Sequence, residues 1–514
     1  MRAQRTHRTT GLVDHLGRPL ASTGYITGGS DRRSMRGWKP YSNSADTDIL
    51  PKHNSIRASS RDLAMNSPLA AGSINRLKDF VIGCGLKLQC SIDREILGLS
   101  HEEAEAWERN TEREYRLHFE STNIDASRTN NIYGLQALTY ISKLVSGDIF
   151  WLPINYPWKG SVYDLRIKIL ESDYVCNPNN MPDNETVAGG IEIDELGAPV
   201  AYHIAQKHPG GLLYGANSWK RVPAFSSRTG MRQVYHDFVK LRPGQRRGVG
   251  IFAPVIETLK QVSRLSESEL MAAVVSSFFT VFIKTENGEG PGPAFGGTTS
   301  VQNESAVNAK NEYEIGSGNI IDLANGEDIE LATPSRPNAN YAPFFEALSK
   351  QIGSCIGVPF EVIYGFFQSS YSAARAAMLI AWKTVTVHRS DLGWSFCKPP
   401  YEHWLLESIV KGRIIAPGFL YNPIIQQAWS GSKWLGQGLG QINPVVETNA
   451  ALARVEGKLS TRQKEVANLD GDDWDTLYDQ WEREETRINT NASKKAETVT
   501  SQDENNETVE ENQE

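Results

Sequence analysis

Residues 254–284 read PVIETLKQVSRLSESELMAAVVSSFFTVFIK, with no Gly or Pro after the first position. Val255, Leu259, Val262 and Leu265 recur three or four residues apart and so share one helical face. Beyond Leu270 the stretch is apolar nearly all round, the pattern of a helix covered on several sides. Read as a single helix it would be roughly 45 Å long, near the diameter of a domain, so it needs neighbours. Its most apolar part, Met271 to Ile283, contains Ser276, Ser277 and Thr280. That part is shorter than the roughly 20 apolar residues a bilayer span requires. The expectation is therefore a buried or interfacial strut.

The next segment differs in kind. Residues 286–339 carry Gly290-Pro291-Gly292, Gly296-Gly297 and many Asn and Ser. Short candidates within it are a helix at Ser305–Asn311 and strands at Gly318–Leu323 and Ile329–Leu331. This reads as a small α+β insertion that projects from the body. Helical spacing returns over Tyr341–Ile356 and stops at Pro359. An irregular aromatic stretch, Phe360 to Tyr371, leads into a helix from Ser372 to about His388. The middle of the chain thus runs helix, insertion, helix, aromatic loop, helix.

Toward the N-terminus, Ser67–Phe80 reads as a helix with Ser67 as N-cap and Pro68 at its first position. His101–Phe119 is a second, its Glu and Arg residues spaced for i,i+4 pairs. Leu135–Val145 is a third, ended by Gly147. Strands follow at Ile149–Ile154, Leu165–Leu170, Ile191–Ile193 and Val200–Ile204, the last two joined by the turn Glu195-Leu196-Gly197. The fold class is α+β. Residues 1–61 hold eleven Lys and Arg against four Asp and Glu, whereas Ser501–Glu514 hold six acids and no base. Both ends have too few apolar residues to offset the entropy of ordering and read as partly disordered tails.

At 514 residues the chain has room for about three domains. Lys and Arg total 53 and Asp and Glu 61, a formal net charge of −8, which argues against a tight phosphate grip along the whole chain. Cys84, Cys90, Cys176, Cys355 and Cys397 are odd in number and form no C-x-x-C; they are expected to be reduced and mostly buried. Arg2, Arg5 and Arg8 are followed by no apolar run, so no secretory signal is expected.

Enzyme motifs are missing. Gly457-Lys458 lacks the upstream Gly of a phosphate loop. His101-Glu102 begins like a zinc-protease helix, but Glu105 stands where the second His is needed. Gly436-Gln437-Gly438-Leu439-Gly440 follows no convincing strand and opens no periodic helix, which excludes a dinucleotide loop. Asp470, Asp472, Asp473 and Asp475 hint at calcium, yet Trp481 occupies the position of the bidentate Glu; an acidic helix start is the better reading. His236-Asp237 offers acid–base chemistry without a nucleophile motif. A hydrolase or nuclease built on this pair is one reading, and a scaffold or adaptor protein is another.

Core packing does not account for Arg242-Pro243-Gly244-Gln245-Arg246-Arg247-Gly248. Arginine forks suit bidentate pairing with carboxylates or phosphates, and the glycines permit a tight backbone. The stretch is either a charged hinge loop or an ion-pairing clamp between subunits.

At this point the chain resembles the lambda-type portal proteins of tailed bacteriophages. Arg61-Asp62-Leu63 and Asn66, then Val81-Ile82-Gly83-Cys84-Gly85, are similar to the family's opening. Ser146-Gly147-Asp148-Ile149-Phe150 is similar to its helix-to-strand junction. Gly190-Ile191-Glu192-Ile193-Asp194 with Gly197-Ala198-Pro199-Val200-Ala201-Tyr202 resembles its hairpin. Trp219-Lys220-Arg221-Val222-Pro223-Ala224, Tyr235-His236-Asp237-Phe238 and the arginine stretch follow in the family's order. Gly357-Val358-Pro359 and Tyr371-Ser372-Ala373-Ala374-Arg375-Ala376-Ala377 match downstream. The resemblance spans about residues 25–485. It departs at Asn443-Pro444-Val445-Val446-Glu447, where the family has Asp-Pro followed by Lys-Glu, which puts an ion pair there in question.

The resemblance implies a portal fold with wing, helical stem, small α/β clip and helical crown, assembled as a ring of about twelve copies. It divides the chain into a basic arm 1–24, wing 25–250, stem helix 251–285, clip insertion 286–340, second stem helix 341–358, tunnel loop 359–371, helix and wing return 372–440, crown 441–485 and acidic tail 486–514. It implies a structural protein without cofactor or metal, placed at one capsid vertex of the virion and assembled in the host cytoplasm. Its implied partners are the terminase large subunit, head–tail connector proteins, major capsid or scaffold protein, and double-stranded DNA without sequence preference; no membrane is involved. Glu361, Tyr364, Phe366, Phe367 and Gln368 are tunnel-loop candidates for touching DNA, or an aromatic plug within the ring. Arg242, Arg246, Arg247 and Arg375 are inter-subunit candidates.

Overall fold

The structure, a computed structural model, describes residues 41–211, 218–277, 281–285, 327–331, 340–365, 370–440, 443–471 and 473–491. Its larger core gathers the apolar faces of the helices Pro68–Val81, His101–Phe119, Ile132–Ser146 and Lys398–Val410, with Leu77, Phe119, Trp151, Tyr401 and Trp404 at its centre. Local chemistry starts these helices. Pro68 stands in the first turn of one, and Ser100 with Glu103 closes a capping box on another.

Strand Asp148–Asn155 is the centre of a three-stranded antiparallel sheet, between Leu165–Leu170 and Tyr235–Phe238. Successive residues of a strand point to opposite faces. Trp151 accordingly enters the larger core, stacked on Tyr235 with ring centroids 4.0 Å apart. Phe150 enters a second, smaller core with Ile191, Tyr202 and Val234. That core is covered by a four-stranded antiparallel sheet in the order Val187–Ala188, Ile191–Ile193, Pro199–Ala205, Trp219–Pro223. Late sequence returns to early sequence where Ser432–Leu435 pairs with Lys87–Cys90.

Several expectations need correction. The strut is a helix only over Ile256–Ser277, preceded by a single turn at Ala253–Val255, and the chain forms a strand at Val281–Thr285. Phe278-Phe279-Thr280-Val281-Phe282-Ile283 is a run of aromatic and β-branched residues that favours extended backbone, and a short apolar run does not reveal its period. The strand pairs antiparallel with Glu327–Leu331; Ser305–Asn311 and Gly318–Leu323 lie outside the described residues. Leu270, Met271 and Val274 at the apolar end of the helix are exposed in the single chain.

Residues 45–61, read as part of a tail, lie in the helix Ala45–Asn66, capped by Ser44, whose Oγ accepts from Thr47 N at 3.2 Å. Its buried face contains His53, Arg57 and Ser60, so apolar periodicity could not reveal it. The aromatic stretch begins with a short helix, Phe360–Tyr364. The helix 474–491 extends into what was read as acidic tail, and Asp473 caps it by accepting from Thr476 N. The glycine-rich 436–440 does follow a strand, Ser432–Leu435, but the next helix starts only at Pro444. Cys90 and Cys397 are buried, whereas Cys84 and Cys355 are exposed.

Candidate functional site

The arginine loop 242–248 lies where the helix Ala45–Asn66, the helix-to-strand junction at Gly147 and the smaller core meet. Gly147 has φ +92°, and a Cβ on Gly248 would stand 2.0 Å from the Gly147 carbonyl oxygen. The loop therefore seats only because both positions are glycine. Arg247, 2 % exposed, grips the buried Asp148 carboxylate with Nε at 2.5 Å and Nη2 at 3.2 Å. Its remaining donors reach the carbonyls of Val175 and Gly189 at 2.7 Å and Ser172 Oγ at 2.6 Å. Ser172 Oγ also accepts from Arg57 Nη1 at 2.9 Å and donates to Asp148.

Burial alone would push the Asp148 carboxyl up; Arg247 and His236 reverse this and hold it well below the usual carboxylate range. His53 bonds Gly248 O through Nε2 at 2.9 Å, and its Nδ1 lies 3.3 Å from Arg57 Nη1. One ring nitrogen thus donates and the other accepts, the pattern of a neutral imidazole. Burial, then the Arg247 charge, lowers its pKa to about 4.

Arg247 therefore acts inside the subunit, a correction to the inter-subunit reading for this residue: its fork is buried and its donors are matched. Arg246 pairs with Asp46 at 3.0 Å and reaches the carbonyls of Glu185 and Thr186. Arg242 pairs with Asp48 at 2.6 Å on the surface. Arg375 pairs with Glu447 at 3.0 Å, so the departure at 443–447 does retain an ion pair.

His236 is stacked between Phe150 and Phe238, with centroids 4.2 and 4.3 Å away, and Nε2 lies 3.3 Å from Asp148 Oδ2. Burial lowers its pKa. Asp237 holds Lys143 Nζ at 2.6 Å and accepts from Ser395 Oγ at 2.9 Å. Lys143 in turn meets Asp391, which joins the helices Ile132–Ser146 and Tyr371–Leu392. The pair is thus two separate structural anchors. Glu171, Asp173 and His208 also converge, but Asp173 is held by Arg57 at 3.0 Å and Arg61 at 2.6 Å, which a cation would have to displace.

Among the tunnel-loop candidates, Glu361 and Tyr364 sit on the short helix whose Val362 and Ile363 are buried. Tyr364 is 39 % exposed and its hydroxyl lies 3.3 Å from Ser349 Oγ. Phe366, Phe367 and Gln368 lie outside the described residues. Sequence reading found the arginine loop but missed its partners His53, Arg57, Asp148 and Ser172. The available signal was Gly147-Asp148, a glycine next to an acid at a helix end.

Among the described residues this arrangement is an assembly of buried ion pairs and hydrogen bonds that tie distant parts of one chain together. A family model described as phage portal protein, lambda family, matches residues 31–389. The chain belongs to that family, whose members are structural components of the phage particle and not enzymes. It is 26% identical to portal protein B of Escherichia phage lambda over 483 residues, covering 90% of this chain and 89% of that one. It is 25% identical to the portal protein of Escherichia phage N15 over 478 residues, covering 89% and 88%. Among solved structures it is similar to a chain in the neck of an empty gene transfer agent particle, with a TM-score of 0.47, 14% identity, and coverage of 82% of this chain and 94% of that one. Among the described residues no helix is long and apolar enough to cross a membrane.

Proposed function

We propose that the chain forms a ring of about twelve copies at one vertex of the phage head, through which double-stranded DNA is packaged and later ejected. The observation that supports this best is an order of elements. Helix Ile256–Ser277, strand Val281–Thr285, strand Glu327–Leu331 and helix Tyr341–Ile356 follow one another, with the strands paired and Tyr341 Oη donating to Ser266 Oγ at 2.9 Å. In this reading the helices are the stem, residues 286–340 the clip that meets the terminase large subunit and then the head–tail connector proteins, 25–250 the wing that meets major capsid or scaffold protein, and 441–485 the crown. A closed ring needs a heterologous interface, two unlike surfaces on each copy. Leu270, Met271 and Phe344, exposed in the single chain, supply apolar surface for it, and the partly exposed Arg242 and Arg375 are candidates for ion pairs between copies. Glu361, Tyr364, Phe366, Phe367 and Gln368 are then the tunnel-loop candidates that touch DNA or form an aromatic plug within the ring.

A net charge of −8 suits a channel, because every phosphate neutralised adds affinity and therefore drag. Assembly takes place in the host cytoplasm, and the energy for DNA movement comes from the partner ATPase. Electron microscopy of the purified full chain, alone and with scaffold or capsid protein, tests this. Rings with a central channel and about twelvefold symmetry are expected; a chain that stays monomeric even with those partners overturns the reading.

A further inference from the structure

Arg166 is only 1 % exposed, yet half of its guanidinium has no partner. Nη1 donates to Leu165 O at 2.7 Å, whereas Nε and Nη2 make no hydrogen bond. Those two nitrogens form the side-on edge of the fork, two parallel N–H donors spaced for the two oxygens of a carboxylate. The guanidinium carbon lies 4.2 Å from the Trp158 ring centroid, and that of Arg128 lies 3.7 Å from the same centroid. Arg128 is held at φ +58° by the turn that begins at Asp125. Two cations therefore share one indole, beside a cavity of about 540 Å³, a size ordinary for a ligand site.

The neighbouring acids are committed elsewhere. Asp125, the only acid among the described residues that line the cavity, accepts on Oδ1 from Ser127 N and on Oδ2 from Ser127 Oγ, Thr129 N, Thr129 Oγ1 and Asn130 N. Asp164 and Glu407 both hold Lys411, and Glu407 also accepts the backbone N–H groups of Asp164 and Leu165. Leaving a buried guanidinium edge unmatched is costly. Lys168, Leu138 and Tyr156 also line the cavity, and Leu138 is 44 % and Tyr156 58 % exposed.

We propose that this cavity receives a carboxylate carried by another protein chain, bound side-on by Nε and Nη2 of Arg166. Trp158, on the turn 156–161, is the cover that shifts to admit it. A planar carboxylate, whose two oxygens lie in one plane with the parallel N–H donors, fits this edge better than a tetrahedral phosphate. The site does not depend on the ring reading, since any acidic protein segment, from a second copy or from another protein, carries this chemistry.

The full-length protein is titrated calorimetrically, at constant ionic strength, with acetyl-Glu-Glu-Glu-amide, acetyl-Gln-Gln-Gln-amide and inorganic phosphate. Sedimentation of the unliganded protein is followed in parallel. Saturable binding of the Glu peptide is expected, with the Gln peptide and phosphate at least tenfold weaker. Arg166→Lys, which keeps the charge but loses the fork, is expected to weaken the Glu peptide at least tenfold. Should that variant fold poorly, Leu138→Glu places a carboxylate in the cavity lining, leaves Arg166 in place, and should block the peptide to the same extent. Loss of assembly in Arg166→Lys without peptide binding to the parent assigns the carboxylate to a second copy. The proposal is overturned if phosphate binds more tightly than the Glu peptide, or if neither peptide binding nor assembly responds to these substitutions.

Discussion

Arg247 shows how much a single side chain decides here. Its fork closes Asp148, its remaining donors fix Val175 O and Gly189 O, and Ser172 links it to Arg57. Removing one member of a buried ion pair strands the other charge and typically costs about 3–5 kcal/mol. Arg247→Met is therefore expected to lower the unfolding free energy by about that amount, measured by urea denaturation. Adding Asp148→Asn should recover part of the loss, because the stranded carboxylate is gone; strict additivity in the double-mutant cycle would refute the coupling. The crowding of three Arg and two Gly into 242–248 was legible in the sequence. The destination of those forks was not, since it depends on pairing 99 residues apart between Arg247 and Asp148. A loop read as either a charged hinge or a clamp between subunits holds one subunit together at Arg247.

Elements with strong local signals were readable almost to the residue. His101–Phe119 and Tyr341–Ile356 have apolar spacing and clear ends at Ser100 and Gly357. Ala45–Asn66 was not readable, because it buries His53, Arg57 and Ser60 where periodicity looks for apolar residues. The helix 474–491 docks on His101–Phe119 through Arg109–Asp479 at 3.0 Å, and Asp473 accepts from Gln89 Nε2 at 2.8 Å. Glu112 faces this junction and accepts from Cys90 N at 2.7 Å. Burial, aided by the Asp473 charge and opposed by the Cys90 N–H, pushes its carboxyl up to about 7 from 4.5. Between those values the folded state holds a proton that the unfolded state has released, so this group's contribution falls as pH rises from about 4.5 to 7. His53, His118 and His403, all lowered to about 4 mainly by burial, act in the opposite sense and remove stability as pH falls from 6.5 toward 4. Glu112→Gln should therefore gain melting temperature over the parent steadily between pH 5 and 7 and then hold level. A constant difference across that range would show that Glu112 does not titrate there.

For the whole molecule the decisive feature is where the insertion joins the body. Thr285 and Glu327 face each other at the end of the ladder whose other end pairs Val281 with Leu331. An antiparallel pair in that register is closed by a two-residue turn, for which Asn-Gly supplies the needed backbone. Residues 286–326 can thus be exchanged for Asn-Gly without straining either strand, and shortening a closed loop lowers its closure entropy by only about 0.6 kcal/mol per halving. The composition of this segment, rich in Gly, Pro, Asn and Ser, is what led the sequence reading to an insertion, whereas the strand at Val281–Thr285 was hidden inside an apolar run that looked helical. If the segment projects from a body that folds without it, the shortened chain should melt within about 3 °C of the parent, since the four or so halvings of the loop amount to about 2.6 kcal/mol, which moves a chain of this size by only a few degrees. It should also form the same oligomer by sedimentation while losing whatever partner the segment binds. A fall of more than 10 °C would mean that residues 286–326 share in the core. The two helices would then owe their packing to the segment between them, and not to contacts such as Tyr341 with Ser266.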